Sequence, residues 1–202
     1  MEFEQAVRRR RMVRSYTGEP VAPAVIDEIC DLGRRAPAAG NTAGVEFLVL
    51  EGDATAAYWD VTLPAERRDG FAWPGLLAAP ALVVVWVDPD AYVSRYREPD
   101  KARTGLGAGE GAWTVPYWFV DGGAAVMTML LAARDRGLGA SFFGMFDHED
   151  VVRHRFGVPP GRRGVGTVAL GHRAEDDRPS RSAARGRPDL KDVLHRSHWR
   201  TP

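Results

Sequence analysis

Residues Ala81–Val87 read ALVVVWV: seven consecutive apolar residues, four of them valine. An unbroken run of this length, rich in β-branched side chains and without polar alternation, suits a strand covered on both faces. Working outward, EFLVLE at 46–51 reads as a strand before it, and ASFFGM at 140–145 and the stretch 164–170 read as strands after it. The intervening segments have helical character. The opening residues to about Arg11 form a first helix. Residues 23–36 form a second, with Val25, Ile29 and Leu32 at i, i+4, i+7 and Pro37 ending it. Residues 117–136 make a buried helix closed by Gly137, and 147–156 a short one with Asp147 as N-cap. Helices and strands mixed around one sheet place the chain in the α+β or α/β group.

The chain has 202 residues, 45% of them hydrophobic, which predicts one domain whose core needs neither disulfide nor structural metal. Basic and acidic residues number 27 each, so a generic nucleic-acid coat is not expected. The charge is unevenly spread: net +1 over 1–36, −8 over 37–150 and +7 over 151–202. Nearly every cation is arginine, the side chain that clasps phosphate or carboxylate bidentately. Genome composition alone produces the same bias. Cys30 is the single cysteine, so disulfides within the chain, thiolate metal clusters and Cys-x-x-Cys chemistry are excluded. The opening MEFEQAVRRRRM lacks the apolar core of a secretory signal. The most apolar stretch, 117–133, is short and contains Asp121, which predicts no membrane span. The expectation is a cytoplasmic protein.

Hydrolytic templates are absent. GLGAGEG at 105–111 lacks the last glycine of a dinucleotide fingerprint, Glu110 standing in its place, and no strand leads into it. There is no Walker A, H-E-x-x-H or G-x-S-x-G sequence. His195 and His198, at i, i+3, have no carboxylate or cysteine ligand nearby and read as a solvated helix end; no metal site is expected. An enzyme built from this chain would leave the hard chemistry to a cofactor. The irregular segment 88–116, with Tyr92 and Trp113, reads as a lid or binding segment.

Three patches form a coherent set. RRRRMVRSY at 8–16 carries Arg10 and Arg14, which share a face if the first helix continues through them; the alternative is a solvated basic helix end. APAAGNT at 36–42 is a small-residue turn, either a plain helix stop or a place where backbone approaches a ligand, with Asn41 as donor and acceptor. SRSAARGR at 180–187 places Arg185 and Arg187 one residue apart, as two cations clasping a phosphate would be.

With GLG at 137–139 entering a strand and RGRPDLKDVLH at 185–195, these motifs resemble, in order and spacing, the FMN-dependent nitroreductase family over nearly the whole length. The resemblance implies an α+β fold with a central, mainly antiparallel sheet flanked by helices. It also implies a single domain over 1–202, an interlocked homodimer and FMN at the subunit interface, with 173–202 as a C-terminal arm. It assigns Arg10, Arg11, Met12 and Arg14 to the phosphate, ribityl and pyrimidine portions of FMN. Pro37, Ala38, Ala39 and Asn41 reach the flavin from the partner, Phe143 and Gly144 lie beside its reacting nitrogen, and Arg185 and Arg187 secure the phosphate. Met12 and Ala38 stand where the family commonly has serine, and Ala43, Gly44 and Val45 where Gln-Pro-Trp often follows.

The implied activity is NAD(P)H-driven reduction of a small electron-poor acceptor, a nitroaromatic or quinone, by a ping-pong mechanism. Trp73, Tyr92, Trp113 and Tyr117 are expected on the substrate side, unless they fill the dimer core. Alternatives are reductive dehalogenation or flavin destruction, with EPDK at 98–101 as a charged lid over a zwitterionic ligand. A non-catalytic flavin- or nucleic-acid-binding protein using the basic tail is a further alternative, which the acidic middle opposes.

Overall fold

The computed structural model describes residues 2–199. Four strands, β1 (Val45–Glu51), β2 (Ala81–Val87), β3 (Gly139–Phe143) and β4 (Arg163–Gly171), form one sheet in the order β1-β2-β4-β3, every neighbouring pair antiparallel. All seven residues of β2 are buried, and the period of two sends alternate residues to opposite layers. Val83 and Val85 meet helices α2 (Pro23–Gly33) and α5 (Tyr117–Asp135) through Ile26, Ile29, Val126 and Met129. Leu82, Val84 and Trp86 face Tyr58 and Trp59 of α3 (Asp53–Thr62) and Val152 of α6 (Glu149–Phe156). Each fully buried Val or Leu contributes about 1.5–3 kcal/mol relative to exposure, which is why this run organises both halves of the core.

The β2–β4 register slips between Val85 and Trp86, opposite Gly166, whose φ is +148°. A Cβ there would stand 2.6 Å from the Phe143 carbonyl oxygen and 2.5 Å from the Phe142 ring. Glycine at this position lets the end of β3 close onto β4.

Several boundaries differ from the sequence expectation. Helix α1 is Phe3–Arg9, and Arg10 already has extended ψ, 129°. Met12 bridges Ala140 in parallel, and the Val13 N–H donates to the Ala140 carbonyl at 3.0 Å. The edge of β3 thus captures the segment, and continued helix would give up that bond and the burial of Val13. Asp147 does not cap α6: His148 occupies the N-cap without a side-chain bond, and Asp147 sits exposed in a preceding 3₁₀ turn. Glu149 and Asp150 meet the helix dipole instead. Helix α3 and helix α4 (Pro89–Arg95) were not anticipated. Asp88 caps α4, its side chain accepting from the Asp90 N–H. Residues 88–116 are therefore a built unit rather than an open loop. Helix α4 and three 3₁₀ turns surround a small core of Val87, Tyr92, Trp113 and Trp118. A four-residue helix, α7 (Leu190–Val193), lies in the exposed C-terminal arm. Among the described residues no helix is long and apolar enough to cross a membrane.

Candidate functional site: an arginine-lined polar cavity joined to an aromatic one

The captured segment 10–14 passes the edge of β3 and presents Arg10, Met12 and Arg14 to one space. They line a cavity of about 500 Å³ with Arg11 and, from the arm, Arg173, Asp177, Pro179, Ser180 and Ser182. The Met12 Sδ accepts from the Phe142 N–H at 3.4 Å. Asp177 fixes the segment, accepting the N–H groups of Arg14 at 2.8 Å and Ser15 at 3.2 Å and pairing with Arg173 at 2.8 Å. Behind it, Tyr16 donates its hydroxyl to the Val13 carbonyl at 2.9 Å. Burial, then the charge of Asp177, pushes that phenol well above its usual range, Arg14 opposing.

Arg14 also borders a second, largely aromatic cavity of about 360 Å³. Its guanidinium lies 4.9 Å from the Trp73 ring centroid. It is lined by Tyr58, Trp59, Phe71 and Trp73 and by Ser141, Phe143, Gly144 and Phe146. Phe143 stacks on Trp59 with centroids 5.7 Å apart. The Tyr58 hydroxyl meets the Thr167 hydroxyl at 2.8 Å, and burial raises its pKa to about 12 despite that hydrogen bond. This phenol is a structural strut at neutral pH.

A third cavity, about 350 Å³, lies against Arg10 and Arg11 from another direction and is lined by Arg8, Arg9, Arg134 and Arg173 as well. Nε and Nη1 of Arg10 and Nε of Arg134 are buried with no hydrogen-bond partner among the described residues. Buried donors without acceptors are rare and costly.

The structure therefore brings together Arg10, Arg11, Met12 and Arg14, and through Arg14 joins them to Trp73, Phe143 and Gly144. Within one chain the 37–41 turn, which the resemblance brings to the flavin from a partner, lies apart from them. Pro37 and Ala38 line a separate cavity of about 180 Å³ beside Asp121. There the Ala39 N–H donates to Asp121 at 2.7 Å, and Asn41 is exposed with φ +55°.

The other expected residues lie elsewhere in this chain. Tyr92 is fully buried, donating its hydroxyl to Asp121 at 2.9 Å, and Trp113 packs on it edge-on with its indole N–H on the Leu106 carbonyl. Both are core residues of the 88–116 unit, not a substrate wall within this chain. Tyr117 is exposed at the start of α5 and lines none of these cavities. Arg185 and Arg187 are exposed as well, and from the arm Ser180, Ser182 and Ala183 line the polar cavity of this chain. The charges of EPDK pair within their own unit: Glu98 and Asp100 both pair with Arg95, which holds the Asp100 carboxyl below its ordinary range. Lys101 sits over the Tyr96 ring. His195 stacks on Trp199 at 4.1 Å.

Sequence reasoning missed Tyr58, Trp59, Asp177 and Arg134. Alternation in ASFFGM could have placed Ser141 and Phe143 on one face, but nothing local marks the other four.

A profile of the nitroreductase family matches residues 7–172, and the chain belongs to that family. A protein of Archaeoglobus fulgidus, provisionally named an NADH dehydrogenase/NAD(P)H nitroreductase, is 26% identical, the match covering 94% of each chain. A 4-nitrobenzoate reductase of a Nocardioides strain is 28% identical over 84% of this chain and 80% of its own. Among solved structures, a protein of Exiguobacterium sibiricum crystallised in complex with FMN superposes with a TM-score of 0.71 at 21% identity, covering 98% of both chains. The nitroreductase fold, α+β with an antiparallel sheet between helices, is thus the fold of this chain.

Proposed function

We propose that this chain is an FMN-dependent oxidoreductase that takes reducing equivalents from NAD(P)H and passes them to a small electron-poor acceptor such as a nitroaromatic or quinone. The observation that carries the reading is the junction at Arg14 of an arginine-lined cavity and an aromatic one. A phosphorylated flavin has those two ends. The residues fit it: the phosphate carries about −1.5 to −2 charges near neutral pH, and Arg10 presents buried donors that lack an acceptor. Each charge-assisted hydrogen bond to it contributes about 1.5–3 kcal/mol.

When bound, FMN supplies the hydride and electron-transfer chemistry that no side-chain group here provides. The chain's own part is binding, orientation and exclusion of water. Arg10 and Arg11 would hold the phosphate, and Ser180 and Ser182 would offer it hydroxyls that Met12 lacks. Arg14, steadied by Trp73 and by Asp177 at its N–H, would place a fixed positive charge at the junction of the two cavities and so favour a negatively charged reduced group there. Trp59, Phe143 and Phe146 form an apolar wall that limits water. In this reading the donor leaves before the acceptor enters the same aromatic cavity.

The working unit in this reading is a homodimer. Exposed apolar residues lie on α1 (Phe3, Val7), α5 (Val120, Met127) and the arm (Leu190, Val193, Trp199). A second copy covering them would also bring its Pro37, Ala38, Ala39 and Asn41, and the arm's Arg185 and Arg187, toward the flavin.

The test is an absorbance spectrum of the purified protein, followed by anaerobic titration with NADH and NADPH and then with a nitroaromatic. Bound-flavin bands that bleach with the donor and return with the acceptor, with parallel lines in double-reciprocal plots, are expected. A colourless protein that takes up no FMN at micromolar concentration refutes the reading.

A further inference from the structure

The third cavity carries positive charge that the assigned residues do not account for. Six arginines and no carboxylate line it. Arg8 is paired with Glu4 and Arg173 with Asp177. Among the described residues Arg10 and Arg134 have no ion-pair partner, and Arg10 Nε and Nη1 and Arg134 Nε are buried without an acceptor. Arg134 lies in the last turn of α5, where a cation suits the helix dipole. The dipole alone asks only for charge near solvent and leaves a buried Nε unexplained. The turn that follows offers no competing donors: the Gly137 and Leu138 N–H groups bond to the Arg134 and Ala133 carbonyls.

Two guanidiniums that border one cavity repel each other unless an anion lies between them. A carboxylate brings one charge and two oxygens. A phosphate monoester dianion brings up to two charges and three terminal oxygens, and guanidinium forks match it bidentately. We propose that Arg134, together with Arg10, forms a site for a phosphate monoester dianion. Arg134 is a phosphate ligand that the motif resemblance does not supply. The phosphate comes either from FMN itself or from the 2′-phosphate of NADPH, and in both cases the inference rests on the flavoenzyme reading above.

The experiment compares the full-length parent with Arg134→Ala and Arg134→Lys. Flavin-stripped protein is titrated with FMN and with riboflavin, which lacks the phosphate. KM is then measured for NADPH and NADH, and thermal unfolding is followed with and without inorganic phosphate. If FMN supplies the anion, Arg134→Ala weakens FMN about 10- to 100-fold while riboflavin is unchanged, and lysine recovers part of the loss. If NADPH supplies it, FMN affinity holds and KM for NADPH rises by a similar factor while that for NADH does not. Equal FMN, NADPH and phosphate responses in parent and variant overturn the proposal. Should the parent bind no flavin, the flavoenzyme reading fails on its own. The site then stands or falls on whether phosphate raises the melting temperature of the parent and not of Arg134→Ala.

Discussion

Replacing Asp177 with alanine should loosen the segment that carries Arg14. The Asp177 side chain is only 7% exposed. One carboxylate oxygen accepts the Arg14 and Ser15 N–H groups, at 2.8 and 3.2 Å, and the other pairs with Arg173. Hydrogen bonds to a charged acceptor contribute about 1.5–3 kcal/mol each. Arg14 and Ser15 are half-buried, so water replaces part of the loss and the lower figure applies to both. The Arg173 side chain is 54% exposed, and such a pair adds at most about 1 kcal/mol. The three interactions share one carboxylate and do not simply add, so Asp177→Ala is expected to cost about 3 kcal/mol. Asp177→Asn, which keeps one oxygen but no charge, should cost roughly half of that. Urea unfolding at fixed protein concentration reads this directly. With an m-value of about 2 kcal/mol/M, the midpoint of the alanine variant falls by about 1.5 M while m is unchanged. Flavin occupancy should fall in parallel, because Arg14 loses its anchor. An unchanged midpoint would show that the arm merely rests on the segment.

Two further expectations concern the fold. Gly166→Ala puts a methyl group against the Phe143 carbonyl oxygen at φ +148°. Backbone cannot yield as a flexible side chain would, so a loss of about 3 kcal/mol or more is expected in thermal unfolding, and parent-like stability would refute the packing described for β3 on β4. The second concerns alkali: burial holds the Tyr16, Tyr58 and Tyr92 phenols protonated, and pushes the Cys30 thiol to about 11 from an ordinary value of 9.0. The unfolded chain releases these protons first as pH rises, so stability must fall from about pH 9 upward. A melting temperature that stays flat to about pH 10.5 would contradict this.

The central strand was legible because it is a local statement: seven apolar residues with no polar break have nowhere to go but between two layers. Helices α2 and α5 were legible from periodicity and from Pro37 and Gly137 beyond their ends. The order of RRMVRSY, APAAGNT, GLG and RGRPDLKDVLH was enough to name the family, because order along a chain survives when each motif alone is weak. Residues 10–14 mark the boundary of that legibility. Their composition is as compatible with helix as with strand, and a hydrogen bond from Val13 to Ala140, more than a hundred residues away, decides the matter. Tyr92 and Trp113 show the same limit. Aromatics in an irregular segment look alike in sequence whether they wall a cavity or fill a core, and here Asp121, on another helix, draws the Tyr92 hydroxyl inward.

Composition, periodicity and motif order by themselves determined the sheet's core strand, the principal helices, the family and the arginine-rich opening segment. Tertiary structure alone decided which arginines share a cavity, which aromatics line one and which are core, that Asp177 holds the Arg14 segment, and that Arg134 borders a cavity with Arg10. The first group depends on interactions between near neighbours, which any window of sequence displays. The second depends on where distant segments meet, and only the closed chain sets those distances.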